Sequence, residues 1–275
     1  MVDRDDVMDL ADGSDRVLGW RTLGEGPALL LVNGYSGTAT DWDPTFLATL
    51  AASRTVLAPD NQGMGRSSPG DLDSMSIDSM ADDLVLLLDG LGIARAPVVG
   101  WSMGGMIAQA FALRNPGRVE SLVLLGTDGG GPGAVLAEPT VWTRLVDHSG
   151  TPRQQASRLL SLLFPPEVAS EADRLFGDVV AEARVNLSIE ALSAQERAIS
   201  AWHAAEPARP GPPLPPVLVA TGTVDVVIPP ANAALLAERW RAARVERFEA
   251  GGHAFMAQDP ELLGTLIASF LDTVG

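Results

Sequence analysis

Ser102 sits in Gly100-Trp101-Ser102-Met103-Gly104, the spacing G-x-S-x-G. The apolar "APVVG" precedes it and the helix-like "MGGMIAQAFALRNP" follows. Strand, tight turn and helix form the context in which this motif presents a serine as a nucleophile. The glycines have a steric purpose, because a sharp, strained turn leaves little room for side chains two positions away. The helix that follows aims its N–H groups and positive dipole end at the hydroxyl. The plain alternative is an ordinary strand–helix turn.

A serine hydroxyl needs a base, and the chain has three histidines: His148, His203 and His253. His253, in "FEAGGHAFMAQDP", falls in a glycine-flanked loop between a strand and the last helix. His148 and His203 lie in a different type of segment and read as surface or pocket-lining residues. A base in turn needs an acid to orient it. Asp225, in "LVATGTVDVVIPP", lies just past a strand end and is favoured. Its rival is Asp128 in "LLGTDGGG", which also follows a strand. For either, the alternative is a turn-forming aspartate.

The elements that must position these groups follow a clear order. "RVLGWRTLG", "ALLLVNG", "RTVLAP", "APVVG" and "RVESLVLLG" read as strands bounded by turn residues. "SIDSMADDLVLLLDGLGI" has helical period, with Met80, Leu84, Leu87 and Leu88 on one side, Ser76 as cap, and Gly90 and Gly92 at its end. Such β-α-β alternation predicts a mostly parallel central sheet with helices on both faces, an α/β fold. Residues 132–211 break the pattern. They hold helix-like stretches such as "TPRQQASRLLSLLF" and "EALSAQERAISAWHAA", no convincing strand, and the proline-rich connector "PARPGPPLPP". Alternation then resumes with "PVLVATG", "ANAALLAERWRAA", "RVERFEAGG" and "PELLGTLIASFLDTV". The expected organisation is a core of residues 1–131 and 212–275 interrupted by a helical cap, 132–211.

Composition excludes several function classes. The chain has 275 residues, 46 % of them hydrophobic, enough for one large core. Its 19 basic and 35 acidic residues give a net charge of −16. An acidic surface repels phosphate backbones, so no nucleic-acid partner is expected. All basic residues are arginine, which removes Schiff-base and phosphate-loop lysines. The absence of cysteine removes disulfides, thiol nucleophiles and thiolate metal sites. No apolar run reaches the roughly 18–20 residues of a membrane span. The acidic start "MVDRDDVMDLADGSDR" lacks the pattern of a secretory signal, so a cytoplasmic location is expected.

The order Ser102, Asp225, His253 on an alternating α/β chain resembles the α/β-hydrolase superfamily, in its serine-nucleophile, helical-cap form. The resemblance covers nearly the whole chain. "PDNQGMGRS", with Asp60, Gly63 and Gly65, is similar to the structural loop after that family's fourth strand. "NGYSGT" is similar to the oxyanion loop after the third. The 132–211 segment resembles the cap between the sixth and seventh strands. The resemblance implies a triad in which His253 deprotonates Ser102 for attack on a carbonyl. It implies an oxyanion hole made by the backbone N–H groups of Tyr35 and Met103, with no metal or cofactor. Asn33 stands where most such members carry histidine, and Asn also donates and accepts.

The expected activity is hydrolysis of a small, moderately hydrophobic ester or lactone through an acyl-enzyme. Asn33, Trp101 and Trp142 are candidate pocket residues, whereas Trp42 reads as core. Trp101 before the serine and Ala254 after the histidine argue against the branch that splits carbon–carbon bonds. A serine nucleophile disfavours epoxide hydrolases and dehalogenases. A cofactor-free perhydrolase, a cyclase or lyase of secondary metabolism, and a non-catalytic small-molecule binder are the alternatives. The oligomeric state is not encoded in any pattern of this sequence.

Overall fold

The computed structural model describes residues 2–274 except Asp12 and Ala243. Eight strands form one sheet in the order β1-β2-β4-β3-β5-β6-β7-β8. They are β1 (Asp3–Asp9), β2 (Val17–Leu23), β3 (Ala28–Val32), β4 (Thr55–Pro59), β5 (Ala96–Trp101), β6 (Val119–Leu125), β7 (Val217–Gly222) and β8 (Arg244–Phe248). β1 and β2 pair antiparallel with each other, and β2 pairs antiparallel with β4. Every other pairing is parallel.

The apolar runs of the central strands are continuous because both faces are covered. Alternate residues point to opposite faces. Leu30, Val32, Val98, Leu122, Leu124, Val217 and Val219 enter one hydrophobic cluster. Leu29, Leu31, Val99, Val123, Leu125 and Leu218 enter the other. The helices sort the same way. α2 (Ile77–Gly90), α3 (Met103–Arg114) and α8 (Ala231–Trp240) supply the first cluster. α1 (Pro44–Ala51), α9 (Phe255–Gln258) and α10 (Pro260–Val274) supply the second. Met80, Leu84, Leu87 and Leu88 are all buried on the inner side of α2. Ser76 caps that helix by accepting from Ser79 N, and its own N–H donates to Ser79 Oγ at 2.9 Å. Trp42 is buried and stacks on Phe46 at 5.7 Å.

Four helices lie between β6 and β7, where the cap of this fold class belongs. They are α4 (Pro139–Leu145), α5 (Pro152–Leu163), α6 (Pro166–Arg184) and α7 (Ile189–Ala204). Among the described residues no helix is long and apolar enough to cross a membrane.

Strand β1 has no counterpart in the sequence pattern. Its residues DRDDVMD are mostly exposed, so no apolar alternation marks them. They hold their place through the seven-residue ladder with β2 and through Arg21, which forks onto Asp3 at 2.8 Å. Charge on an edge strand also blocks pairing with further chains.

The loop after β4 braces the chain beneath the site. Asp60 is buried, and its carboxylate accepts from Ala39 N (2.7 Å) and Arg66 N (3.0 Å). Gly65 follows at φ +52°, and a Cβ there would lie 2.4 Å from the Asp60 carboxylate. Gly65→Ala is expected to cost about 1–3 kcal/mol of stability through strain and displacement of this carboxylate. Urea unfolding of wild type and variant measures it.

Candidate active site

The parallel strands end on one side of the sheet, and the loops that follow β3, β5, β6, β7 and β8 converge there. Crevices at strand carboxyl ends are where such sheets bind ligands. Ser102 occupies the turn from β5 into α3 at φ 57°, ψ −123°, a strained conformation for a residue with a side chain. Its N–H donates to Leu125 C=O at 2.9 Å. Its own C=O accepts from Thr127 Oγ1 at 2.7 Å. A Cβ on Gly100 would lie 2.3 Å from Gly104 C=O, and one on Gly104 would lie 2.1 Å from Val32 C=O. Both motif glycines are therefore demanded by contact of α3 with its own entry strand and with β3.

His253 is 2 % exposed, and its Nδ1 lies 2.7 Å from Asp225 Oδ2. The other carboxylate oxygen of Asp225 accepts from Val227 N (2.8 Å) and Ile228 N (2.9 Å). With Oδ2 as acceptor, Nδ1 carries the hydrogen and Nε2 is left free. Trp101 locks the imidazole from the side. Its ring centroid is 5.2 Å from that of His253, and its Nε1 donates to His253 C=O at 3.0 Å. Gly126, at the end of β6, separates the two halves of the arrangement. A Cβ there would touch Asp225 Oδ2 and His253 Nδ1, while Leu125 and Thr127 on either side bond Ser102. No direct Ser102–His253 hydrogen bond forms among the described residues. Catalytic bonds of this kind often tighten only with substrate bound.

Asp128 points elsewhere. Its Oδ2 lies 3.0 Å from His203 Nε2, and its Oδ1 accepts from Gly130 N (2.8 Å) and Trp202 Nε1 (3.3 Å). It belongs to α7 rather than to His253.

The loop after β3 runs along the serine. A Cβ on Gly34 would lie 3.1 Å from Ser102 Cβ. The N–H of Tyr35 takes part in none of the hydrogen bonds among the described residues. As first residue of α3, Met103 has an N–H without an intrahelical acceptor. The loop is held from the cap. Tyr35 OH donates to Glu196 Oε1 at 2.6 Å, and His148 Nε2 shares that oxygen at 2.7 Å. Ser36, at φ 60°, donates its N–H to Gln195 Oε1 at 3.1 Å. Gln195 is fully buried and its Nε2 reaches Gln62 C=O at 3.3 Å. Burial, then the Glu196 bond, pushes the Tyr35 phenol well above its ordinary range. Arg184 Nη1 stands 3.5 Å from Ser36 Oγ, and burial draws its guanidinium below its usual range.

A cavity of about 380 Å³ opens over Ser102. Its walls are mostly apolar, with Met103, Met106 and Trp142 among them, and Tyr35 and His203 also face it. Two expected pocket residues are placed elsewhere. Trp101 is turned onto His253 and Trp42, because its indole N–H is drawn to the His253 carbonyl. Asn33 is buried beneath the loop: Oδ1 accepts from Gly34 N (2.8 Å) and Nδ2 donates to Thr38 C=O (2.6 Å). Its own C=O accepts from Asn61 Nδ2 at 2.8 Å. Asn33 is thus a brace of the loop and not a wall of the cavity.

The model of the α/β hydrolase fold family matches residues 27–260. The chain belongs to the α/β-hydrolase family. A relative in Variovorax paradoxus, provisionally named carbamate hydrolase RutD, is 32 % identical over 260 residues, covering 91 % of this chain and 93 % of that one. The protein of the same name in Azorhizobium caulinodans is 30 % identical over 264 residues, covering 96 % and 98 %. Among solved structures, a meta-cleavage product hydrolase of Pseudomonas fluorescens superposes with TM-score 0.83 at 22 % identity, over 98 % of each chain. An esterase of Rhodococcus gives 0.79 at 22 %, over 100 % of each. At that identity the structural likeness speaks for the α/β-hydrolase fold alone.

Asn33→Leu removes both partners of a buried N–H and a carbonyl. It is expected to cost about 1–3 kcal/mol in urea unfolding.

Proposed function

We propose that this α/β hydrolase is a serine hydrolase acting on a small, moderately hydrophobic ester or lactone. The observation that carries this reading is the strained Ser102 turn set beside a buried His253 whose tautomer Asp225 fixes. His253 Nε2 takes the Ser102 proton as Oγ attacks the carbonyl carbon. The oxyanion is received by the N–H groups of Tyr35 and Met103, each such donor being worth roughly 3–4 kcal/mol. Collapse of the intermediate breaks the ester C–O bond, and His253 passes its proton to the departing alkoxide oxygen. Water, deprotonated by the same Nε2, then attacks the acyl-enzyme and releases the acid with Ser102 restored. The size and apolar walls of the cavity support a compact, moderately hydrophobic substrate, and residues 132–211 act as the cap that shapes it.

A second reading is favoured by the relatives of 30–32 % identity. The same attack on a carbamate carbonyl would expel an alcohol or amine. Comparing kcat/KM for p-nitrophenyl acetate and a p-nitrophenyl N-alkylcarbamate separates the two.

A fluorophosphonate probe is expected to label wild type at Ser102 and to leave Ser102→Ala unlabelled, with ester turnover lost in the variant. Equal inertness of both proteins toward the probe and a broad ester panel overturns the hydrolase reading. Asp225→Asn is expected to lower kcat by roughly a thousandfold or more, through the wrong imidazole tautomer. Asp128→Asn is expected to lose much less. A severe loss in Asp128→Asn alone would move the acid to Asp128.

A further inference from the structure

The cavity over Ser102 contains a second carboxylate–imidazole pair that hydrolysis does not use. Asp128 follows β6 and is 1 % exposed. His203 stands in the last turn of α7. Both face the cavity. Gly130 N–H and Trp202 Nε1–H occupy Oδ1 of Asp128, and Oδ2 takes His203 Nε2 at 3.0 Å. A carboxylate oxygen accepting there requires Nε2 to carry the hydrogen. In the neutral ring, Nδ1 is then an unprotonated acceptor.

Among the other side chains of the cavity, the indole N–H of Trp142 can only donate, and the hydrogens of the two hydroxyls outside the reacting serine are engaged. Tyr35 OH is spent on Glu196. Ser200 Oγ donates back to Glu196 C=O of its own helix at 2.9 Å. Ser102 is reserved for the reacting carbonyl. Most of the remaining wall is apolar, including Val135, Leu136, Trp142 and Ile199. The pair is not needed merely to fasten the cap, because Trp202 Nε1 already ties the same turn of α7 to Asp128. A few placed polar groups in an apolar pocket are what fix ligand orientation.

We propose that His203, oriented by Asp128, is a specificity-determining residue that accepts a hydrogen bond from the substrate. The group it recognises is a hydroxyl or amide N–H located away from the scissile carbonyl of an otherwise apolar molecule. The inference rests on the hydrolase reading for what the cavity binds, and its test does not require turnover.

The experiment measures binding to Ser102→Ala protein by calorimetry. The probes are alkyl esters ending in a primary carboxamide, in a methyl ester or in an isopropyl group, over a range of chain lengths. The end group is placed on the acyl chain in one series and on the alcohol in the other. The carboxamide is expected to bind more tightly than the isopropyl ligand of equal length in at least one series. Adding His203→Leu is expected to reduce that preference by roughly tenfold, the worth of one hydrogen bond in a buried site. Adding Asp128→Asn, which frees the tautomer, is expected to reduce it in part. Adding Trp202→Phe, which removes only the fastening bond, is expected to leave the preference within about twofold. No preference in either series overturns the proposal. So does a preference that survives both His203→Leu and Asp128→Asn, or one that falls equally in Trp202→Phe, since a structural role alone predicts that pattern. Equal dependence on His203 for the methyl ester reverses the polarity and also overturns it. Absence of fluorophosphonate labelling in wild type is a separate result, against the hydrolase reading only.

Discussion

The closeness of α3 to the sheet is the constraint on which the rest depends. The helix enters so near β3 that Gly104 has no room for a Cβ against Val32 C=O. That contact forces Ser102 into a positive-φ turn. The turn then brings the serine alongside the loop that follows β3, where a Cβ on Gly34 would lie 3.1 Å from Ser102 Cβ. If the helix stood farther out, the Ser102 turn could relax and Gly34 would lose its contact with the serine. The strain is tolerated because Leu125 C=O and Thr127 Oγ1, both at the end of β6, pin the turn from either side.

The core and the cap contribute unlike things to the site. Loops of the core hold Ser102, His253 and Asp225, the serine and the aspartate through backbone bonds to strand residues and the histidine through the Trp101 indole. The cap supplies most of the apolar wall, and two of its attachments to the core lie beside the cavity. One is Asp128, held by His203 and Trp202. The other is the Tyr35–Ser36 turn, held by Glu196 and Gln195. Both of these attachments come from a single helix, α7.

How far sequence discloses such a site depends on whether a constraint is local. Ser102 was legible because its strain is relieved by glycines two residues away on either side. His253 stands out because the chain has few histidines and one lies in a glycine-flanked loop after a strand, where the structure sets it against Asp225. The buried faces of α2 and of the parallel strands could be read from period alone. β1 could not, because an acidic edge strand is held by its ladder and leaves no apolar alternation. Asn33 was visible as a departure from pattern, but its task as a brace depends on the loop folding back so that Thr38 C=O meets its amide. The orientation of Trp101 is not legible, because adjacency to the serine says nothing about which way an indole turns. Gln195 and Glu196 left no signal, since their partners lie 159 and 161 residues earlier in the chain. Asp128 reads from sequence as a rival acid, but its partner His203 is 75 residues away.

The grip of α7 on residues 35 and 36 has a consequence for access to the site. Ser36 holds a left-handed backbone while donating its amide to a side chain of the cap. Lifting α7 to admit a molecule would therefore remove the acceptor that offsets this conformation, and would free the phenol of Tyr35 at the same time. The entrance and the loop beside the serine are then not independent parts. The turn beside the serine takes its shape from the core and its hydrogen-bond partners from α7.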